Sequence, residues 1–175
     1  NMLTNVYEPS RGSIMLNGKS TAGKTTAQVN KMGIARTFQN IRLFNKMSVL
    51  DNVKVGLHSN IETNLFQSIV HNRQYKIIER ETTEKAMDLL KFFNMEGLAN
   101  APAGSLPYGA QRRLEIVRAL ATDPSIILLD EPAAGMNPSE TAELMDNIRK
   151  IRDEFHLAVL LIEHDMSLVM NVCEG

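Results

Sequence analysis

Two apolar runs in the last third of the chain set its frame. Ile126 to Leu129 and Leu157 to Ile162 are continuously apolar, the pattern of strands covered on both faces. Between them Leu144, Ile148, Ile151 and Phe155 recur at helical spacing. The start of that helix is written in Asn137-Pro138-Ser139-Glu140, with Asn as cap, Pro at the first position and Glu three after the cap. Strand, helix and strand of this kind make a right-handed βαβ unit with parallel strands.

Upstream the pattern is more varied. Met2, Leu3, Val6 and Tyr7 are spaced like the end of a helix, and Glu8 to Gly12 is turn chemistry. Ser13 to Leu16 alternates like a strand, and Asn17-Gly18 predicts a tight turn. Residues 25–32 predict a short helix stopped by Gly33, then a strand over Ile34 to Gln39 and a loop over Asn40 to Phe44. From Val49 to Asn94 the character is helical. Val53, Val55 and Leu57 begin it, Leu65 to Val70 continue it, and Ala86, Leu89, Leu90 and Phe93 form one apolar face. A Gly-, Ala- and Pro-rich loop over Gly97 to Tyr108 precedes a helix over Ala110 to Thr122, with Leu114, Val117, Leu120 and Ala121 on its buried side.

Composition narrows the class. Hydrophobic residues are 43%, charged residues 22% and the net charge is −1, an ordinary globular balance. A near-neutral charge offers no footprint for nucleic acid as the main partner. The single cysteine, Cys173, rules out an internal disulfide and fits a reducing compartment. No apolar run approaches the length of a membrane span, and no signal-peptide pattern is legible. A membrane would therefore act through a partner protein. Both ends fall inside patterned segments, at Asn1 and after the apolar run from Leu168 to Val172, so the chain is expected to be cut at both ends.

The candidate chemistry lies after the two apolar runs. The first strand ends at Asp130-Glu131 and the second at Glu163-His164-Asp165. In open α/β sheets the ligand crevice lies outside the carboxyl ends of the strands, so Asp130, Glu131 and His164 would face one site. A carboxylate there suits magnesium, a second can polarise water, and a histidine can donate to a phosphate oxygen. Taken singly, each residue also has a plain structural role: acids after a strand cap loops, and Asn137 is well explained as a helix cap.

A literal phosphate-loop pattern also occurs. Gly18-Lys19-Ser20-Thr21-Ala22-Gly23-Lys24-Thr25 matches G-x-x-x-x-G-K-[ST]. Two features argue against its use. The strand before it alternates, and the helix after it has only Ala27, Val29 and Met32 as an apolar face.

The joint arrangement resembles the ATP-binding cassette (ABC) ATPase family. The resemblance rests on LLDEPAAGMNP (Leu128 to Pro138), LLIEHDM (Leu160 to Met166), RTFQN around Gln39, and LPYGAQRRLEIVRAL (Leu106 to Leu120). The wording of RTFQNIRLF, YGAQRRLEI and DEPAAGMNP is similar to the ATPase subunits of bacterial branched-chain amino acid importers. The resemblance implies an α/β P-loop NTPase fold of the ABC type, with a parallel sheet core and an inserted helical subdomain, truncated at both ends. It implies a division into residues 1–48 (partial core with an antiparallel β excursion and the Q-loop), 49–109 (helical subdomain ending in the signature motif) and 110–175 (core with Walker B, D-loop and switch histidine).

The same resemblance assigns roles. Asp130 becomes the magnesium-side carboxylate, with Gln39 as a second metal-side and catalytic residue linking the site to membrane subunits. Glu131 becomes the general base, and His164 the sensor of the γ-phosphate. Leu106, Tyr108, Gly109 and Gln111 of the signature motif and Asn137 of the D-loop become nucleotide-binding residues. The signature departs from the family's L-S-G-G-Q, because Pro107 has neither a hydroxyl nor a backbone N–H. ATP and Mg2+ are the implied cofactors. A second ABC ATPase subunit and integral membrane permeases are the implied partners, with a periplasmic binding protein engaged indirectly, at the cytoplasmic face of the bacterial inner membrane.

The resemblance also implies a full helix and an antiparallel β excursion between phosphate loop and Q-loop, so Gln39 follows Gly18 to Thr25 too soon; on this alignment the phosphate loop lies before Asn1, and residues 1–175 alone are expected to be inactive. A standalone P-loop NTPase using Gly18 to Thr25 is the alternative, and a binding module without catalysis is another. A DNA-repair or chromosome cassette is disfavoured, because no sustained heptads separate Gln39 from Leu106.

Overall fold

A computed structural model of the chain describes residues 2–59, 72–166 and 169–170. Its centre is strand β4 (Ile126–Asp130), flanked in parallel by β3 (Ile34–Arg36) and β5 (Ala158–Ile162) in the order β3-β4-β5. A separate antiparallel hairpin joins β1 (Met15–Leu16) to β2 (Lys19–Ser20). The helices are α1 (Thr26–Lys31), α2 (Val49–His58), α3 (Asn72–Phe92), α4 (Tyr108–Leu120) and α5 (Pro138–Phe155).

The apolar run of β4 is continuous because each face meets its own core. Ile127 and Leu129 join the large cluster built by α2, α3, α4 and α5, including Val53, Leu90, Leu114 and Ile148. Leu128 points the other way, with Ile126 alongside, into a small cluster of Leu16, Val29 and Ile34. A strand has period two, so a strand covered on both faces cannot alternate.

Capping follows the sequence closely. Asn137 Oδ1 accepts the Glu140 N–H at 2.9 Å while Glu140 accepts the Asn137 N–H at 3.0 Å, so both halves of the capping box form with Pro138 in the first turn. Thr25 and Gln28 make the same box on α1, and Gly33 (φ +107°) ends that segment. Ser48 caps α2 through the Asp51 N–H.

Several expectations are corrected. Strand β5 is not buried: Leu160 and Ile162 are 44% and 46% exposed, because only its other face, carrying Val159 and Leu161, packs against the large core. The strand expected to reach Gln39 stops at Arg36, since the Phe38 carbonyl is taken by a side chain, Arg112, rather than by β4. Residues 2–5 form a turn, closed by Asn5 N–H to Met2 O at 3.0 Å, rather than a helix end. The 97–108 loop contains the short 3₁₀ turns Glu96–Leu98 and Ala103–Ser105, and Tyr108 already belongs to α4. Phe155 is partly exposed and packs edge-on against Phe92. The helical continuation expected at Leu65 to Val70, most of the run from Leu168 to Val172, and Cys173 lie outside the described residues.

Helix α2 approaches α4 through Gly56. A Cβ there would stand 2.5 Å from the Arg118 carbonyl oxygen and 2.8 Å from the Ala121 Cβ. Backbone cannot yield as a flexible side chain does, so Gly56→Ala is expected to destabilise the fold by about 1–3 kcal/mol. Equilibrium denaturation measures this; an unchanged midpoint would contradict the packing described.

Candidate functional site

The parallel register of β4 and β5 brings the acidic and histidine segments together. Asp130 pairs with Ile162, and the Glu131 N–H donates to the Ile162 carbonyl at 2.9 Å. Asp130-Glu131 and Glu163-His164 therefore leave the sheet side by side, at the edge where such sheets form their ligand crevice.

Glu131 is the focus of the cluster. His164 Nε2 lies 2.9 Å from its Oε1, in ion-pair range, and Gln39 Nε2 donates to its Oε2 at 3.0 Å. One carboxylate thus gathers residues from three segments far apart in sequence. The Glu131 side chain is about one-fifth exposed while that of His164 projects almost fully into solvent. Beside them Arg36 Nη2 donates to Asp130 Oδ2 at 2.7 Å.

The Glu131 backbone is unusual. Its φ is +46°, in the left-handed region. That region costs a residue with a Cβ on the order of 1–2 kcal/mol. The turn is held from two sides. Ala133 N–H donates to Glu163 Oε1 at 3.1 Å, and the buried Arg112 donates to the carbonyls of Asp130, Glu131 and Pro132 at 2.6, 2.7 and 3.3 Å. A cavity of about 680 Å³ opens beside this turn, lined by Glu131, Ala134, Met136, Glu163 and His164.

The remaining expected residues lie in two neighbouring loops. Leu106 is buried, and its carbonyl accepts the Gln111 side-chain amide at 2.8 Å. Pro107 stands at the cap of α4 without a side-chain capping bond. Tyr108 is 45% exposed, with its ring 3.4 Å from where a Gly135 Cβ would sit. Gly109 lies against the Glu140 carboxylate, and Asn137 spends its side-chain oxygen on the α5 cap. Arg113 Nη1 donates to Glu143 at 2.9 Å and ties the same two helices together. Of the expected residues, Asp130, Glu131, His164 and Gln39 lie together at the strand ends, Tyr108, Gly109 and Asn137 lie where the start of α4 meets the start of α5, and Leu106 and Gln111 bond to each other at the start of α4.

Arg36, Arg112 and Glu163 were not singled out in the sequence. The one legible signal was Arg112 with Glu115: a charged pair spaced i, i+3 on a helix whose other neighbours are core residues.

The literal phosphate-loop pattern has a different structure. Asn17 and Gly18, at φ +48° and +75°, are the hairpin turn, and Lys19-Ser20 is strand β2. The Thr21 N–H donates to Ile14 O, the Ala22 N–H to Ser20 Oγ, the Lys24 N–H to Thr21 O and the Thr25 N–H to Gln28 Oε1. A phosphate loop requires such amides to converge on an anion. Here they are spent on Ile14, Ser20, Thr21 and Gln28, and α1 behind them has six residues.

Asp130, Glu131 and the Gln39 amide supply hard oxygen donors of the kind magnesium takes. Among the described residues no group of three or more His, Cys, Asp or Glu side chains is poised around one metal point.

Comparison with known proteins agrees with this geometry. The ABC transporter family pattern matches residues 1–134. The chain is 44% identical over 174 residues to the high-affinity branched-chain amino acid transport ATP-binding protein BraF of Pseudomonas aeruginosa. It is 41% identical over 174 residues to LivG, of the same description, from Escherichia coli strain K12. The alignment covers 99% of this chain and 68% of each relative. The ADP conformation of MJ1267, an ATP-binding cassette of an ABC transporter, superposes with a TM-score of 0.79 at 30% identity, over 98% of this chain and 66% of that one.

The spent amides of Gly18 to Thr25 yield a direct test. Lys24→Ala in the full-length protein is expected to leave ATP affinity within about twofold by calorimetric titration, since uniform binding is untouched. A loss of about tenfold or more would return the nucleotide site to this segment.

Proposed function

The chain belongs to the ABC transporter family, and from that premise we propose that it is the ATP-hydrolysing subunit of a bacterial importer for branched-chain amino acids. The observation that carries this reading is the Glu131 carboxylate held between Gln39 and His164 at the ends of two parallel strands.

In this reading Glu131 is the general base. One of its oxygens takes the proton of the attacking water, while the Gln39 hydrogen bond and the close His164 imidazole hold the carboxylate in place. His164, exposed on its other side, reaches the γ-phosphate. Asp130 and the Gln39 amide oxygen would hold magnesium, which would supply charge neutralisation at the phosphates. Positioning and electrostatics carry most of phosphoryl transfer, which suits a site assembled from fixed hydrogen bonds.

Leu106, Tyr108, Gly109, Gln111 and Asn137 face ATP held by a second cassette subunit, with helix α4 directing its N-terminus toward the phosphates. Pro107 leaves that contact to the neighbouring backbone. Residues 1–48 and 110–175 form the nucleotide-binding core, and 49–109 the helical subdomain.

Integral membrane permeases dock near Gln39 and the helical region. A groove of about 620 Å³ between these parts supports this, lined by Phe38, Leu43, Phe44, Val55 and Arg118. Phe44 and Val55 are exposed apolar groups there, and burial lowers the Arg118 pKa against the opposing effect of Glu115. Among the described residues no helix is long and apolar enough to cross a membrane, in keeping with a peripheral subunit at the cytoplasmic face. A periplasmic binding protein is engaged only through the permeases.

Glu131→Gln keeps the size and one hydrogen-bond acceptor but not the base. In the full-length protein assembled with its membrane subunits, phosphate release is expected to fall by about 10²–10⁴-fold. ATP affinity is expected to hold within about twofold. Turnover near the wild-type rate would refute the assignment.

A further inference from the structure

We propose that Arg112 is a positioning residue for ATP hydrolysis, holding from beneath the left-handed turn that aims Glu131 and tying it to the Gln39 loop. The inference rests on the reading of Glu131 as general base and adds a residue that touches neither nucleotide nor water.

The guanidinium is completely buried and makes a set of bonds that no other side chain could reproduce. Nη2 donates to the carbonyls of Asp130 at 2.6 Å and Glu131 at 2.7 Å, and Nε to that of Pro132 at 3.3 Å. Nη1 donates to the Phe38 carbonyl and, at 2.8 Å, to Glu115 Oε2. Glu115 in turn accepts the Arg42 N–H through Oε1 at 3.3 Å. Three consecutive carbonyls thus turn inward onto one planar fork, which requires the chain to bend at Glu131, where φ is +46°. Phe38 immediately precedes Gln39. The same cation therefore fixes both backbones whose side chains meet at 3.0 Å.

The chemistry explains why arginine stands here. Five N–H donors in a rigid plane can serve several carbonyls at once, whereas an ammonium is a compact point charge. A buried cation needs a paired anion, and Glu115, itself only 2% exposed, supplies it from the next turn of α4. Glu115 sets the charge, and the carbonyls set the geometry. Arg112 also stands in the body of the helix that begins at the signature loop, so the placement of α4 and the aim of Glu131 are mechanically joined.

The test uses the full-length protein assembled with its membrane subunits. Arg112→Lys retains a charge beside Glu115 but cannot span the carbonyls. Its kcat is expected to fall by about a hundredfold, the scale of a misplacement near 1 Å. Its KM for ATP and its affinity for a non-hydrolysable ATP analogue are expected to stay within about twofold. Arg112→Ala, which opens a guanidinium-sized space, is expected to regain kcat several-fold on addition of guanidinium ion below denaturing concentrations, with no gain in the wild type. A normal kcat in Arg112→Lys, a parallel loss of analogue affinity and kcat, no rescue of Arg112→Ala, or failure of both variants to fold would each overturn the proposal. Glu131→Gln, measured alongside, separates the two readings. If it still turns over, the general-base assignment fails and this proposal with it. If it is silent while Arg112→Lys is normal, only the positioning role fails.

Discussion

Strand β4 is enclosed on both faces, and the arrangement of the molecule follows from that constraint. Ile127 and Leu129 need the helices of the large core, while Ile126 and Leu128 need the hairpin and α1. It pairs in parallel with β3 and β5, neighbours that only crossover connections can deliver, at its two sides. Parallel pairing then places every strand's carboxyl end on one edge. The acidic dipeptide at the end of β4 and the histidine after β5 become neighbours through this geometry, without any direct preference for each other.

The site at that edge is built from a few strong and partly desolvated contacts. Glu131 occupies a costly backbone conformation, and its carboxylate accepts from Gln39 and lies beside the His164 imidazole. Strain of this kind persists only where the surroundings over-determine it. Those surroundings are the Ile162 carbonyl, the Glu163 carboxylate and the buried guanidinium of Arg112. The signature loop and the helix after Gly135 form a second unit, braced by Arg113 with Glu143 and by close approach at Gly109. Helix α4 belongs to both units, with its first turn at the loop and its second beneath Glu131.

Much of this was legible along the chain. The run of β4, the capping box at Asn137, the short helix ended by Gly33 and the hairpin turn at Asn17-Gly18 all arise from local rules that sequence displays directly. Asp130, Glu131, His164 and Gln39 were legible as a group, because strand ends and family motifs mark them. The exposure of β5 was not. An apolar run announces a strand, but which of its faces is covered depends on what packs there, and Leu160 and Ile162 stand bare on one side. The end of β3 was equally hidden, since it is set by a side chain seventy-odd positions away that takes the Phe38 carbonyl.

Sequence by itself determined the elements, the two-faced central strand and the set of polar residues at its edge, because periodicity and capping act over a few residues. Only the tertiary structure decided how those polar groups pair. It made the apparent phosphate loop at Gly18 to Thr25 a hairpin turn, a short strand and a loop whose amides bond to nearby groups between Ile14 and Gln28. It also turned an arginine in mid-helix into the support of the Glu131 turn. Hydrogen-bond partners in a folded chain are fixed by where backbones meet in space, and the contacts among residues 36–39, 112, 130–132 and 163–164 span distances that no local pattern records.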